Sequence, residues 1–259
     1  MRHTTKPPEE HIIIRSLSLT MPSGFEIEEH AHLWAQFIYA TNGVMTVTTE
    51  DGTWVVPSRR AVWVPSMIHH SIVMTGTVTM RTLFFRPRLV KKLPVSCRVM
   101  GASSLMRELI LRTIELGFLY KNNPKHMRLL DLIVDELQER RETALELQMP
   151  SDPRSHIVAQ RVHDNPRSNE SLHYLVKGCG ASPRTIERAF QRELGMTFGQ
   201  WRQQVKLLHA LRLLADGSSV SNVAREVGYE NTSAFIAMFK RTMGLTPHQY
   251  FMHDEAHAS

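Results

Sequence analysis

A repeat constrains this chain more than any other feature. Shifted by 49 residues, Phe190-Gln191-Arg192-Glu193-Leu194-Gly195-Met196-Thr197 falls on Phe239-Lys240-Arg241-Thr242-Met243-Gly244-Leu245-Thr246, and Trp201 falls on Tyr250. Ile186 falls on Phe235 at the same offset, and Leu175-Val176 on Val223-Ala224 once the second copy is allowed one extra residue in its turn. Two copies are too few to stack as a solenoid, so each must be a supersecondary unit in its own right. Both run as a helix, a tight turn containing glycine, and a second helix. The turns are Val176-Lys177-Gly178-Cys179-Gly180-Ala181-Ser182-Pro183 and Ala224-Arg225-Glu226-Val227-Gly228-Tyr229-Glu230-Asn231. This is the sequence form of a helix-turn-helix.

The residues at the first turn support that form. Ser182 can cap the free amides of the next helix, and Pro183 sits in its first turn, where a missing N–H costs nothing. Ile186, Phe190 and Leu194, four apart, make an inner face and leave Arg184, Glu187, Arg188 and Gln191 pointing outward. A charged outer face is ordinarily only a solvated one. On a duplicated unit it becomes a set of groups able to reach phosphates and base edges. Between the copies, Phe198 to Ala215 spans about 27 Å as a helix, with an apolar stripe at Phe198, Trp201, Val205, Leu208 and Leu211. With the widths of the motifs added, this spacer can hold two reading helices about 34 Å apart, the separation of successive major-groove faces. Periodicity and punctuation predict the other helices of this half at Ser155–His163, Leu172–Lys177, Val220–Val227 and Thr232–Met243, after a linker ending in Met149-Pro150-Ser151-Asp152-Pro153.

The other half has a different texture. From Ile12 to about Arg88 it is rich in Val, Thr, Trp and Phe, with short alternating runs such as Val44-Met45-Thr46-Val47-Thr48 cut by Asn42-Gly43 and Asp51-Gly52. Strands that short, with no helix between them, predict an antiparallel barrel or sandwich. From Ala102 to about Arg141, Leu105, Leu109, Arg112 and Leu116, then Met127, Leu130, Ile133, Val134 and Leu137, predict a helical hairpin broken at Asn122-Asn123-Pro124. It is suited either to cover the β domain or to pair with a second subunit. The expected division is 1–100 β-barrel, 101–145 helical hairpin, 146–160 linker and 161–259 helix-turn-helix domain. The fold class is α+β in two domains, the first a β-barrel with a helical hairpin and the second all-α.

Composition narrows the function classes. Hydrophobic content of 42% with 22% charged residues describes a folded globular chain. No run approaches the length of a membrane span, and the opening Met1 to Pro8 lacks an apolar signal block, so a cytoplasmic location without membrane contact is expected. Cys97 and Cys179 are too few for a disulfide framework and read as plain thiols. The net charge of +6 favours an anionic partner.

From about Ser168 to Phe251 the sequence resembles the AraC/XylS family of bacterial transcription regulators. The second-motif signature is present as Gly228-Tyr229-Glu230-Asn231-Thr232-Ser233-Ala234-Phe235, then Phe239-Lys240, then Gly244-Leu245-Thr246-Pro247-His248-Gln249-Tyr250. The first motif is similar at Ser182-Pro183-Arg184-Thr185-Ile186-Glu187-Arg188-Ala189-Phe190. Two departures are Val176, where a small Ala is usual, and Phe251, where a basic residue is common. The resemblance implies binding of double-stranded promoter DNA, with Pro183–Leu194 and Thr232–Met243 as recognition helices. The implied DNA-facing residues are Ser182, Arg184, Thr185, Glu187, Arg188 and Gln191 in the first motif and Thr232, Ser233, Ile236, Ala237 and Lys240 in the second. Arg reads guanine and Glu accepts from cytosine, whereas Ile and Ala offer only contact with thymine methyls. Most base specificity is therefore expected in the first motif, with Lys240 and its helix mainly positioning the protein.

In the amino-terminal half, Gly24, His30, His32, Gln36 and Gly43 follow the spacing G-x5-H-x-H-x3-Q-x6-G. This resembles the first cupin motif, with Gln36 where Glu is usual. Pro65-Ser66-Met67-Ile68-His69-His70 is similar to the start of the second motif, with Met67 replacing Gly. Alternation puts His30 and His32 on one face of a strand, and a barrel can bring His70 beside them, giving three imidazoles and the Gln36 amide oxygen. Such a set suits a divalent Zn, Ni, Fe or Mn ion. A metal-free effector pocket and a purely structural barrel remain open beside it, so no cofactor is fixed. His69 is expected to face outward, and Trp34, Trp54 and Trp63 to be core or pocket wall.

The leading expectation is a non-enzymatic, sequence-specific regulator, activator or repressor, whose barrel senses a small molecule or metal, with a homodimer possible and an RNA polymerase contact required if it activates. The runner-up is a metal-dependent cupin enzyme carrying a DNA-binding domain, and a third reading is a nonspecific basic DNA-binding protein.

Overall fold

A computed structural model of the protein describes residues 9–138 and 145–252. The stretch of the expected hairpin beyond Gln138 lies outside the described residues. In chain order the elements are β1 (Ile12–Met21), β2 (Glu26–His30), β3 (Ala35–Ala40), β4 (Val44–Thr49), β5 (Gly52–Pro57), β6 (Arg60–Val64), β7 (His70–Thr75), β8 (Val78–Phe85), β9 (Arg98–Gly101), α1 (Ser104–Leu116), β10 (Phe118–Tyr120) and α2 (Pro124–Gln138). They continue with β11 (Glu146–Leu147), α3 (Pro153–Asp164), α4 (Leu172–Leu175), α5 (Pro183–Leu194), α6 (Phe198–Ala215), α7 (Val220–Glu226), α8 (Thr232–Met243) and α9 (Pro247–Met252). The chain divides into two compact units, Met1–Thr49 with Val56–Thr143 and Glu50–Val55 with Ala144–Ser259.

In the first unit one sheet takes the order β10-β1-β8-β3-β6-β9, and β4, β7 and β2 are neighbours in a second. Every residue of β3 is buried, so the strand is covered on both faces. Ala35, Phe37 and Tyr39 join Leu83 and Phe85 of β8 in a core completed by Met106, Leu109 and Ile110 of α1 and Leu130, Ile133 and Leu137 of α2. The hairpin thus covers the six-stranded sheet. Its first helix is rotated from the face the sequence suggests. Met106, Leu109, Ile110 and Thr113 are buried, while Leu105 and Arg112 are exposed. The Thr113 hydroxyl tolerates that burial because it donates to the Leu109 carbonyl oxygen at 2.7 Å. Between the helices the chain adds an unexpected strand, β10, antiparallel to β1.

The second unit is built on α6. Phe198, Trp201, Val205, Leu208 and Leu211 are all buried, as the stripe predicts, and Leu207 and Ala210 widen the buried face. Six helices begin at capping side chains: Asp152 for α3, Ser171 for α4, Ser182 for α5, Thr197 for α6, Ser219 for α7 and Asn231 for α8. The fully buried Trp201 indole donates to the Gln148 carbonyl oxygen at 2.8 Å. Glu193 at the end of α5 accepts from the amides of Ser151 and Asp152 at 2.8 and 3.2 Å. The segment expected to be a bare linker is therefore fastened to the helices, and β11 within it pairs with Thr53 and Trp54 of β5.

Helix α9 is a further copy of an earlier feature. Thr197 and Gln200 form a reciprocal cap at the start of α6. Forty-nine residues on, the Thr246 amide donates to Gln249 Oε1 at 3.1 Å and the Gln249 amide to Thr246 Oγ1 at 3.3 Å.

Gly43 closes the β3–β4 turn at φ +69°, and a Cβ placed there would lie 2.7 Å from the Thr77 carbonyl oxygen. Both the left-handed conformation and the backbone contact exclude a larger residue. Gly43→Ala is expected to destabilise the protein by about 2 kcal/mol, read as a lower midpoint for the first-unit transition in urea; an unchanged midpoint contradicts this account of the turn.

Candidate DNA-reading faces and a histidine-lined sensor centre

On α5, Ile186, Ala189 and Phe190 are buried, while Arg184, Arg188 and Gln191 are exposed. Leu194, expected on the inner face, is only half-buried. Glu187 is half-buried, and its Oε2 accepts from the Phe198 amide at 3.1 Å, so one carboxylate oxygen braces the start of α6. Ser182 Oγ accepts from the Thr185 amide at 3.2 Å and lies 2.9 Å from Thr185 Oγ1. Both side chains are therefore engaged in the helix cap. On α8, Phe235, Met238, Phe239 and Met243 are buried. Ser233, Ala237 and Lys240 are exposed and Thr232 and Ile236 half-buried. The two outer faces correspond at the repeat offset: Arg184 to Ser233, Glu187 to Ile236, Arg188 to Ala237 and Gln191 to Lys240. The first face is cationic and the second largely apolar.

In the first unit the structure gathers His30, His32 and His70 so that one ring nitrogen from each lies within 4.8 Å of the others. His30 ends β2 and is paired directly across from His70, which opens β7. Each ring is held through Nδ1 by a backbone carbonyl: His30 by Glu28 at 2.8 Å, His32 by Trp34 at 2.5 Å and His70 by Ile68 at 2.9 Å. A carbonyl oxygen only accepts, so each Nδ1 donates there, which leaves Nε2 as the ring nitrogen free to act as a ligand atom. Gln36 is oriented from behind. Its Nε2 donates to Thr82 Oγ1 at 3.1 Å, and the Thr82 hydroxyl donates to the Phe37 carbonyl oxygen at 3.2 Å. Gln36 Oε1 is thereby turned to Nε2 of His32 at 2.9 Å and of His70 at 3.1 Å. Burial pushes His70 down to about 4, and the neighbouring His30, His32 and His69 push the same way. The ring is neutral at pH 7.

Three imidazoles and the Gln36 side-chain amide therefore converge on one point. The donor set fits a borderline divalent ion.

Residues 18–149 match the AraC-like ligand binding domain family, and residues 175–253 match the Helix-turn-helix domain family. The HTH-type transcriptional regulator NimR of Escherichia coli (strain K12) is 34% identical over 221 residues, 85% of this chain and 81% of NimR. The chain belongs to the AraC family of transcription regulators. The HTH-type transcriptional regulator RipA of Corynebacterium glutamicum is 35% identical over 99 residues, covering 38% of this chain and 30% of RipA. Among solved structures, ToxT from Vibrio cholerae aligns over 93% of this chain and 98% of its own at 9% identity and a TM-score of 0.39.

As an AraC-family regulator the chain has a DNA-binding helix-turn-helix domain and a ligand-binding domain for a small-molecule effector. Among the described residues no helix is long and apolar enough to cross a membrane. His69 is exposed, 3.5 Å from Glu29 Oε1. Trp54 and Trp63 are core residues, while Trp34 is half-buried under the guanidinium groups of Arg15 at 4.6 Å and Arg86 at 4.9 Å. Cys97 and Cys179 are free and buried.

Met67 occupies the glycine place of the second cupin-like motif at φ +65° and is well exposed. Its amide donates to the His32 carbonyl oxygen at 2.9 Å, which ties the two histidine segments together. The left-handed backbone is unfavourable for Met, and its side chain gains little from packing. Met67→Gly is expected to stabilise the protein by about 0.5–1 kcal/mol, seen as a raised melting temperature; a lower one would assign the Met side chain a packing role.

Proposed function

We propose that this regulator reads promoter DNA sequence-specifically through α5 and α8, and that its N-terminal domain holds a divalent ion on His30, His32, Gln36 and His70 beside its effector. The DNA reading is supported by the matched outer faces of the duplicated helices. Arg184 and Arg188 stand exposed on the first. Ser233, Ile236 and Ala237 take the corresponding places on the second, with Lys240 in reach of the phosphate backbone. Glu187 keeps one carboxylate oxygen for a base edge while the other braces α6. Ser182, Thr185, Gln191 and Thr232 border these faces and contact the sugar-phosphate backbone. In this reading residues 1–100 sense, 101–145 cover the sheet and pair two subunits, 146–160 link and 161–259 bind DNA. The protein works in the cytoplasm, catalyses no reaction and engages RNA polymerase where it activates.

The gathering of three imidazoles and the Gln36 amide at one point carries the metal assignment. When bound, the ion would supply a Lewis-acidic anchor for an effector's oxygen or nitrogen. The residues themselves do the holding: the Glu28, Trp34 and Ile68 carbonyls fix three tautomers, and Thr82 aims the amide. Effector occupancy changes operator affinity by its differential affinity for the two states of the protein.

Arg184→Ala is expected to lose about 1–3 kcal/mol of discrimination at one base pair, whereas Ile236→Ala changes preference much less; selection of binding sites with each variant checks this, and the reverse order contradicts it. Protein purified without chelators should carry about one equivalent of divalent metal by elemental analysis, lost in His32→Ala and in His70→Ala. Operator binding and effector response that persist in protein free of metal would remove the ion from the mechanism.

A further inference from the structure

Among the described residues of the second unit, Lys206 is the one buried cationic side chain, at 7% exposure. Among the described residues no carboxylate partners it. Its Nζ donates to Asn169 Oδ1 at 2.5 Å and lies 5.7 Å from the centre of the Tyr229 ring. Burial, with the Arg202 charge beside it, pushes the ammonium below its ordinary value. A position needing only bulk on this face would be filled by Leu or Met, which carry no desolvation cost.

What the ammonium joins gives its role. Asn169 precedes Ser171, the cap of α4, so it lies on the chain leading into the first motif. Its side-chain amide donates to the Gly228 carbonyl oxygen at 2.7 Å, in the turn of the second motif. Gly228 has φ +76°, and a Cβ there would lie 2.3 Å from the Arg167 carbonyl oxygen and 2.9 Å from Lys206 Nζ. The strand of chain at 167–169 thus lies directly on the second turn. Gln203, one helical turn before Lys206 less one residue, hydrogen-bonds Tyr229 from the same spacer helix. Three parts of the domain that are far apart in sequence meet at one side chain.

We propose that Lys206 is a positioning residue, locking the approach to the first motif, the turn of the second and the spacer helix into a single arrangement, so that α5 and α8 meet successive turns of DNA in one fixed phase. The proposal rests on the reading of α5 and α8 as the DNA-contacting helices. Two linked readers gain from each other only when both fit the duplex at once. A loosened junction therefore costs bipartite binding without weakening either reader. Being buried, Lys206 contacts no phosphate, and its removal releases no counterion.

The test uses the full chain and a duplex obtained by selection with the wild-type protein. Affinity is measured on that duplex, on versions with the half-sites moved apart or together by one and two base pairs, and on versions with either half-site scrambled. Wild type should prefer the selected spacing sharply. Lys206→Met should lose about tenfold on the selected duplex, respond weakly to spacing, and match wild type within about twofold on the single half-sites. The slope of log affinity against log salt should stay the same, whereas a lost phosphate contact would lower it by about one. Lys206→Arg should retain the spacing preference. Should Lys206→Met not fold by circular dichroism, Asn169→Ala removes the acceptor from an exposed residue and should flatten the spacing response in the same way. A folded Lys206→Met or Asn169→Ala with undiminished spacing preference overturns the proposal. Equal losses on single half-sites with a reduced salt slope also overturn it. A wild-type protein that selects no bipartite duplex overturns the DNA reading itself, and the locking role with it.

Discussion

Helix α6 has to be buried by both motifs at once, and the rest of the DNA-binding domain depends on that requirement. At its start, Trp201 and Phe198 pack against Phe190 of α5, with ring centroids 5.4 and 5.3 Å away in edge-on contact. The second copy repeats the device one helix later, where Tyr250 of α9 meets Phe239 of α8 at 5.9 Å. Each of α5 and α8 is thus held from behind by an aromatic residue of the helix that follows it. Such contacts add about 0.5–1.5 kcal/mol beyond the area they bury, and they leave the opposite faces of α5 and α8 open. The anchoring repeats while the outer chemistry does not: cationic on one helix, mostly apolar on the other. The two copies share a scaffold and differ in their outer faces.

The sensor domain uses a similar division between fixed framework and open chemistry. β3 is buried on both faces, with Phe37 and Tyr39 turned to the helical hairpin and Gln36 turned the other way towards the histidines. Backbone carbonyls take up every Nδ1 of the cluster, and Thr82 fixes the amide. The framework thus holds the orientation of each ring and of the amide, and leaves their remaining ligand atoms gathered at one point. Met67 shows the same framework holding a residue in a conformation suited to glycine.

Much of this was legible in the sequence because its signals were local or repeated. The bounds of α5, α6 and α8 follow from caps and four-residue apolar spacing, and the histidine set follows from two short motifs. What was not legible depended on contacts across sequence. The rotation of α1 is decided by the sheet beneath Ile110. β10 and β11 are too short to show a period and exist because β1 and β5 offer free edges. Glu187 reads as a base-edge acceptor from its helical position, and its bond to the Phe198 amide appears only once α5 meets α6. Lys206 sits beside the apolar stripe with nothing in the neighbouring sequence to mark it as buried. Helix α9 is the exception, since Thr246 and Gln249 repeat the Thr197 and Gln200 cap and the repeat itself carries the signal.

The account turns on one monomer presenting two readers to the same face of a duplex. Hydroxyl-radical footprinting of the full chain on a selected duplex tests this most directly. Two protected segments about 10 base pairs apart on one face for each bound subunit are the predicted result. A single protected segment, or two on opposite faces of the helix, would contradict it.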